Sequence, residues 1–188
     1  MKFIRLALLA LVMLGVFAVL HYALPQTDVV RIVNTDVRRM DFGANAIFYS
    51  EAGTGSNTGG NRDIRFIETV EPDGDPMVYR NEDTGWSWPF YFKFDSADLQ
   101  ASAADLVSTR EAPIWIAVRH YGWRSRLLSA FPNAISIERV DGPDVKFFPW
   151  LTLVILTTLL VAALLLWRVA QIFWRRTVRP LFKRGDDI

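Results

Sequence analysis

Residues 147–167 read FFPWLTLVILTTLLVAALLLW, bounded by Lys146 and Arg168, with no ionisable side chain between them. A helix over these 21 residues runs about 31 Å, close to the roughly 30 Å hydrocarbon core of a bilayer. A lone segment in lipid can satisfy its own peptide groups only as a helix. Pro149 falls in what would be the first turn, where its missing N–H costs nothing. Thr152, Thr157 and Thr158 can return their hydroxyls to the preceding turn. Phe147, Phe148 and Trp150 crowd one end and Trp167, Phe173 and Trp174 the other, as an aromatic belt does. Buried helices of soluble cores rarely stay free of charge over this length, so the segment is read as a membrane span.

The residues that follow orient it. Arg168, Arg175, Arg176, Arg179, Lys183 and Arg184 face only Asp186 and Asp187. Basic flanks stay cytoplasmic, against an anionic inner leaflet. Such a juxtamembrane cluster explains the basic tail without invoking nucleic acid, which is not expected as a partner. At the other end of the chain, Lys2 and Arg5 precede a run from Leu6 to Thr27 broken only by His21. The run is long for a signal peptide, and His21-Tyr22-Ala23-Leu24-Pro25 is a poor cleavage site, so it is read as an uncleaved span. Both termini are then inside and the middle of the chain is outside.

That middle differs in charge. The whole chain of 188 residues has a net charge of +1, but residues 25–145 hold twelve basic and eighteen acidic side chains, a net of −6. The absence of cysteine excludes disulfides, thiolate metal sites and a cysteine nucleophile. Two histidines, His21 and His120, leave little for a histidine-rich metal site. No cofactor is expected.

The segment patterns predict a mostly β domain. Val29–Val33, Ala46–Tyr49, Ile64–Val70, Met77–Arg80, Phe90–Phe94, Ile114–Tyr121 and Ala134–Val140 read as strands or short apolar pieces. Glu71–Pro76 is a turn by composition, and GTGSNTGGN from Gly53 is a flexible polar loop. Ser96 is a candidate N-cap, Asp98 complements the helix dipole, and Leu99, Ala103 and Leu106 recur at helical spacing, predicting an amphipathic helix over 96–107. Residues 123–131 stay ambiguous. The fold class expected is two transmembrane α-helices flanking an α+β, mostly β, extracytoplasmic domain with one amphipathic helix, or a small sandwich with the helix laid on it. The boundaries expected are 1–24 and 146–174 for the spans, 25–145 for the periplasmic domain and 175–188 for the basic cytoplasmic tail.

Asp83-Thr-Gly-Trp86, FYFKFDSADL over 90–99, His120-Tyr-Gly-Trp-Arg124 and Phe131-Pro-Asn-Ala134 together form a distinctive set, supported by Leu24-Pro25-Gln26 and Arg31-Ile-Val-Asn34. On these residues the chain resembles the bacterial proteins grouped as domain of unknown function 1523, found largely in alphaproteobacteria. The resemblance covers nearly the whole chain. It implies a Gram-negative inner-membrane setting, no established activity, and no catalytic or binding residues to carry over.

Candidate site residues are weighed one by one. His120 lacks a carboxylate or nucleophile placed by spacing and reads first as a structural histidine. Arg119, Arg124 and Arg126 suit an anion such as a phosphate or lipid headgroup, but also suit pairing with the acidic excess of their own domain. Glu71, Asp73 and Asp75 fall short of a calcium loop. GTGSNTGG lacks the Lys-Ser or Lys-Thr ending of a phosphate loop. Trp86, Trp88, Trp115 and Trp123 are many for so small a domain. Packing in the core accounts for some of them. Trp86 and Trp88, next to Gly85 and Pro89, are the best placed for an exposed patch facing a protein partner or the membrane–water interface.

The residues expected to bind a partner are Trp86, Trp88, His120, Trp123, Arg124 and Arg126. The partners expected are the lipid bilayer and either another membrane protein or a second copy of the chain. The function expected is binding, as an accessory or assembly factor or scaffold of a membrane complex. The alternative is a membrane-anchored periplasmic enzyme or lipid- or ligand-binding protein. A sensor ranks last, because the tail after Arg168 is too short for an output domain.

Overall fold

The computed structural model describes residues 2–41 and 61–178. The chain divides into two units, Met1–Phe147 and Phe148–Ile188.

The second unit holds one apolar helix, α3, over Trp150–Phe173, continuing as a π-helical turn over Trp174–Val178. Pro149 stands at its N-cap, just ahead of the first turn in which the sequence reading puts it. Thr157 and Thr158 donate to Leu153 O and Val154 O at 2.7 and 2.8 Å, so the two hydroxyls are satisfied within the helix. None of its residues is buried. By length and composition it can cross a membrane, as can the N-terminal helix α1, Lys2–Ala23, in the first unit.

In the first unit, α1 runs almost directly into β1, Gln26–Asp41. Then come β2 (Asn61–Val70), β3 (Pro76–Asn81), α2 (Ser96–Asp105), β4 (Trp115–Tyr121) and β5 (Asn133–Arg139). β1 is long enough to serve two neighbours: Gln26–Arg31 pairs antiparallel with β4, and Arg31–Asp41 pairs antiparallel with β2. β2 and β3 form a hairpin through the Glu71–Asp75 turn. β3 meets β5 in parallel at Arg80↔Asn133, and β5 pairs antiparallel with β4. The order β1-β2-β3-β5-β4 therefore closes on itself as a barrel. This arrangement, with a helix between β3 and β4, is that of the OB-fold, a five-stranded Greek-key barrel. Closure removes the sheet edges that an open sandwich would leave, so the sandwich expectation is not met.

Val30, Ile32, Ile67, Tyr79, Ile116, Val118 and Ala134 fill the interior, and Leu99 and Ala103 of α2 press onto them, with Leu106 alongside. The helical spacing read from the sequence is thus the packing face. The cap is not local. Asp95 stands at the N-cap without a side-chain bond, and Asp83 instead accepts from Ser96 N and Ser96 Oγ at 2.9 and 2.7 Å.

Two expectations need correction. The sequence pattern puts Ile135 and Ile137 on one face of the last strand, but the pairing of β4 with β5 slips between Arg119 and His120, opposite Ser136 and Ala134, and it is Ala134 and Ile137 of β5 that pack on the core. Residues 90–94 are not a strand: Tyr91 N donates to Pro89 O in a turn, and Phe92 has φ of 51°. The apolar piece at 46–49, most of the Gly-rich loop and Pro180, where any helix continuing out of the span is expected to break, lie outside the described residues.

Candidate functional site

The last turn of α1 does not end free. β4 finishes at Tyr121, and Gly122 follows with φ of 95°, a conformation that glycine adopts without strain. Gly122 N–H donates to Tyr22 O at 2.9 Å. A Cβ at this position would meet Pro132 Cα at 3.5 Å and the Tyr22 ring at 3.6 Å. The Tyr91 hydroxyl donates to Ala23 O. The Tyr22 ring stacks on Trp88 (centroids 5.8 Å, planes 12° apart) and meets Trp123 edge-on at 5.4 Å and Tyr121 edge-on at 6.1 Å. Trp123 Nε1 donates to His21 Nδ1 at 2.9 Å. The helix end is thereby gripped by two loops, 82–95 and 122–132.

Both loops present apolar side chains to solvent. In FYFKF over 90–94 the alternation is inverted. Phe90, Phe92 and Phe94 point outward, while Tyr91 is partly buried and Lys93 is only 4% exposed. The outward rings touch in series: Phe90 and Phe92 at 6.3 Å, Phe92 and Trp86 at 5.4 Å, Trp86 and Phe94 at 5.8 Å. Trp86 is 77% exposed. In the other loop, Ser125 and Ala130 bridge to each other and leave Leu127 at 98% exposure on the tip, beside Leu128. Arg124 stacks over Phe131 at 4.4 Å and donates to Ala130 O at 3.0 Å, stiffening the base of that tip.

The floor beneath the loops is polar and buried. Arg80 Nη1 lies 2.6 Å from Glu82 Oε2, both side chains almost fully covered. Asn133 accepts from Glu82 N at 2.9 Å and donates to Glu82 O at 3.0 Å and the Tyr121 hydroxyl at 3.1 Å. Lys93 Nζ donates to Asn81 Oδ1 and to Ala134 O, the latter at 2.7 Å. Burial pushes its ammonium down to about 8, against the pull of Asp95, Asp83 and Glu82. Burial also raises the Tyr91 phenol. Tyr91 stacks on Tyr121 at 5.0 Å, so the rim that holds α1 rests on this network.

A second polar group faces the barrel interior. His120 shares the face of Ile116 and Val118 on β4, and its Nε2 lies 2.7 Å from Asp28 Oδ2, a charged pair when the imidazole is protonated. The Tyr79 hydroxyl donates to the same oxygen at 2.7 Å. Burial alone would raise Asp28; the His120 contact and charge and the Tyr79 hydroxyl outweigh it and hold the carboxyl below its usual range.

The structure thus separates the six residues singled out from sequence. Trp88 and Trp123 meet on Tyr22, Trp86 joins the ring series in the same loop as Trp88, and Arg124 and Arg126 belong to the Leu127 loop. His120 faces the interior instead, because it is even-numbered on β4 with Ile116 and Val118. Sequence reasoning missed Tyr22, Tyr91, Phe90, Phe92, Leu127 and the Arg80–Glu82 pair. One signal was available: Lys93 among four aromatic residues marks a stretch whose two faces differ.

From these residues upward, the molecule is of a definite class: an apolar N-terminal helix docked by its last turn onto the rim of an OB-type barrel, with a second apolar helix after the barrel. The chain belongs to the DUF1523 family, described as "protein of unknown function", whose model matches residues 1–175. The match runs from α1 through the barrel to α3. An uncharacterized protein of Haemophilus influenzae is 36% identical over 149 residues, covering 79% of this chain and 81% of the relative. No solved structure matches the chain.

Proposed function

We propose that this is a two-pass protein of a bacterial inner membrane that holds an acidic OB-type barrel on the periplasmic side and acts by binding, as an accessory or assembly factor or scaffold of a membrane complex. The observation that carries this reading is the docking of α1. Cleavage after Ala23 would remove Tyr22, whose ring packs against Trp88, Trp123 and Tyr121 and whose carbonyl accepts from Gly122. A helix built into the fold in this way is suited to be a retained anchor. Lys2 and Arg5 in its first turn, and Arg168, Arg175 and Arg176 at the far end of α3, favour cytoplasmic termini. Barrels of this topology are widely used for binding, an argument from fold analogy only.

Two measurements test it. Reporters fused to each terminus should both read cytoplasmic, and the mature protein should begin before Tyr22. A periplasmic terminus, or an N-terminus following Ala23, defeats the topology. Purification in mild detergent should yield the chain with a stoichiometric partner or as a defined oligomer; a strictly monomeric species defeats the binding role.

A further inference from the structure

We propose that the two apolar loops beside α1, at residues 86–94 and 126–128, enter the interface of the lipid bilayer, so that the barrel lies on the membrane surface instead of swinging from its tethers. The inference rests on the reading of α1 as a membrane span.

The depth follows from the contacts. Tyr22 and Ala23 end α1, so if the helix crosses the bilayer they sit at its outer interface. Trp88 and Trp123 lie within 6 Å of Tyr22, and Tyr91 is bonded to Ala23. Phe90 and Phe92 flank Tyr91 in sequence and point away from the barrel. They are therefore carried at nearly the depth of the helix end.

The chemistry fits that place. Trp and Tyr rings are favoured where one side is apolar and the other wet. The 90–94 stretch turns its Phe side chains out and its lysine in, the reverse of what water on its outer face would select. Leu127 stands almost fully exposed on a stiffened tip, with the exposed guanidinium of Arg126 beside it at the level where lipid phosphates lie. A soluble partner seated on this patch would have to share the position with the bilayer that α1 enters, which makes lipid the occupant.

The chain contains no cysteine, so each substitution introduces a single thiol for a spin label. The full-length protein is reconstituted in vesicles of phosphatidylethanolamine and phosphatidylglycerol, with labels at Phe90→Cys and Leu127→Cys. Leu14→Cys in α1 and Glu111→Cys, at the opposite end of β4 from Gly122, serve as references. Collision with oxygen, which partitions into lipid, is compared with collision with a water-soluble nickel chelate. Both loop labels should show an oxygen-to-nickel ratio several-fold above that at position 111 and below that at position 14. If position 14 reads as lipid and both loops read like position 111, the inference falls while the span stands. If position 14 itself reads as water, the span falls and the inference with it. Loops shielded from both reagents would mean burial against protein, a second copy or a partner, which also overturns the proposal.

Discussion

The hydroxyl of Tyr91 donates to the carbonyl of Ala23, the last residue of α1, across 68 positions of sequence. The C-terminal carbonyls of a helix have no partner within it, so each one met from outside ties the helix to whatever supplies the donor. Gly122 N–H does the same for Tyr22. Together they make the end of an apolar helix part of a barrel rim, and they connect that helix to the buried charges beneath it.

Tyr91→Phe keeps the ring stack on Tyr121 and removes only the donor. It should cost about 1 kcal/mol of barrel stability and raise hydrogen exchange at Gly122. Thermal unfolding in detergent and exchange mass spectrometry read the two effects; unchanged exchange at Gly122 would show that the hydroxyl does not hold the junction.

Gly122→Ala places a Cβ on a backbone at φ of 95°, against Pro132 and the Tyr22 ring. The strain should cost about 1–3 kcal/mol and loosen α1 from the rim. The check is a lowered melting temperature together with faster proteolysis between α1 and β1. A variant as stable as the parent would contradict the geometry.

Lys93 gives a pH dependence of known sign. Its folded value of about 8 lies below the 10.5 of an unstrained lysine. Below pH 8 both folded and unfolded chains hold the proton, and the cost of the buried charge, of order 3 kcal/mol, is fully present. As pH rises from 8 towards 10.5 the folded chain releases the proton first, so stability rises. Tyr91 and Tyr121, whose phenols burial raises, oppose this at higher pH. The difference between the parent and Lys93→Met isolates the lysine: it should move in favour of the parent across this window. A difference independent of pH would rule the titration out.

Asp28 acts on the acid side. Its folded value is held down by His120 and Tyr79, so its contribution is present above the usual 3.8 and is lost as pH falls through the lower folded value. The stability gap between parent and Asp28→Asn should therefore stay level down to the usual 3.8 and narrow as pH falls below it. Chemical unfolding of both proteins across that range decides it, and a gap constant with pH would assign Asp28 no titrating role.

Much of the architecture was legible along the chain. The two apolar helices are properties of uninterrupted local runs, and charge-free length needs no partner to be read. β2, β3, β4 and α2 were visible because their alternation or helical spacing records which side chains are buried. Residues 90–94 were misread for the same reason: period-two alternation tells strand-like geometry from helix but not which face is wet. Only the folded molecule shows that the phenylalanines face out and Lys93 faces in, since that depends on Asn81 and Ala134 arriving from other strands.

What the sequence determined by itself was the pair of apolar helices, the acidic β-rich middle and the family. The tertiary structure decided that the middle closes as a barrel, that Asp83 supplies the cap of α2, that His120 lies apart from the tryptophans, and that α1 is locked to the rim. Each of these joins residues far apart in the chain. Such pairings are selected by packing and by the demand that buried polar groups find partners, neither of which leaves a periodic trace in the order of residues.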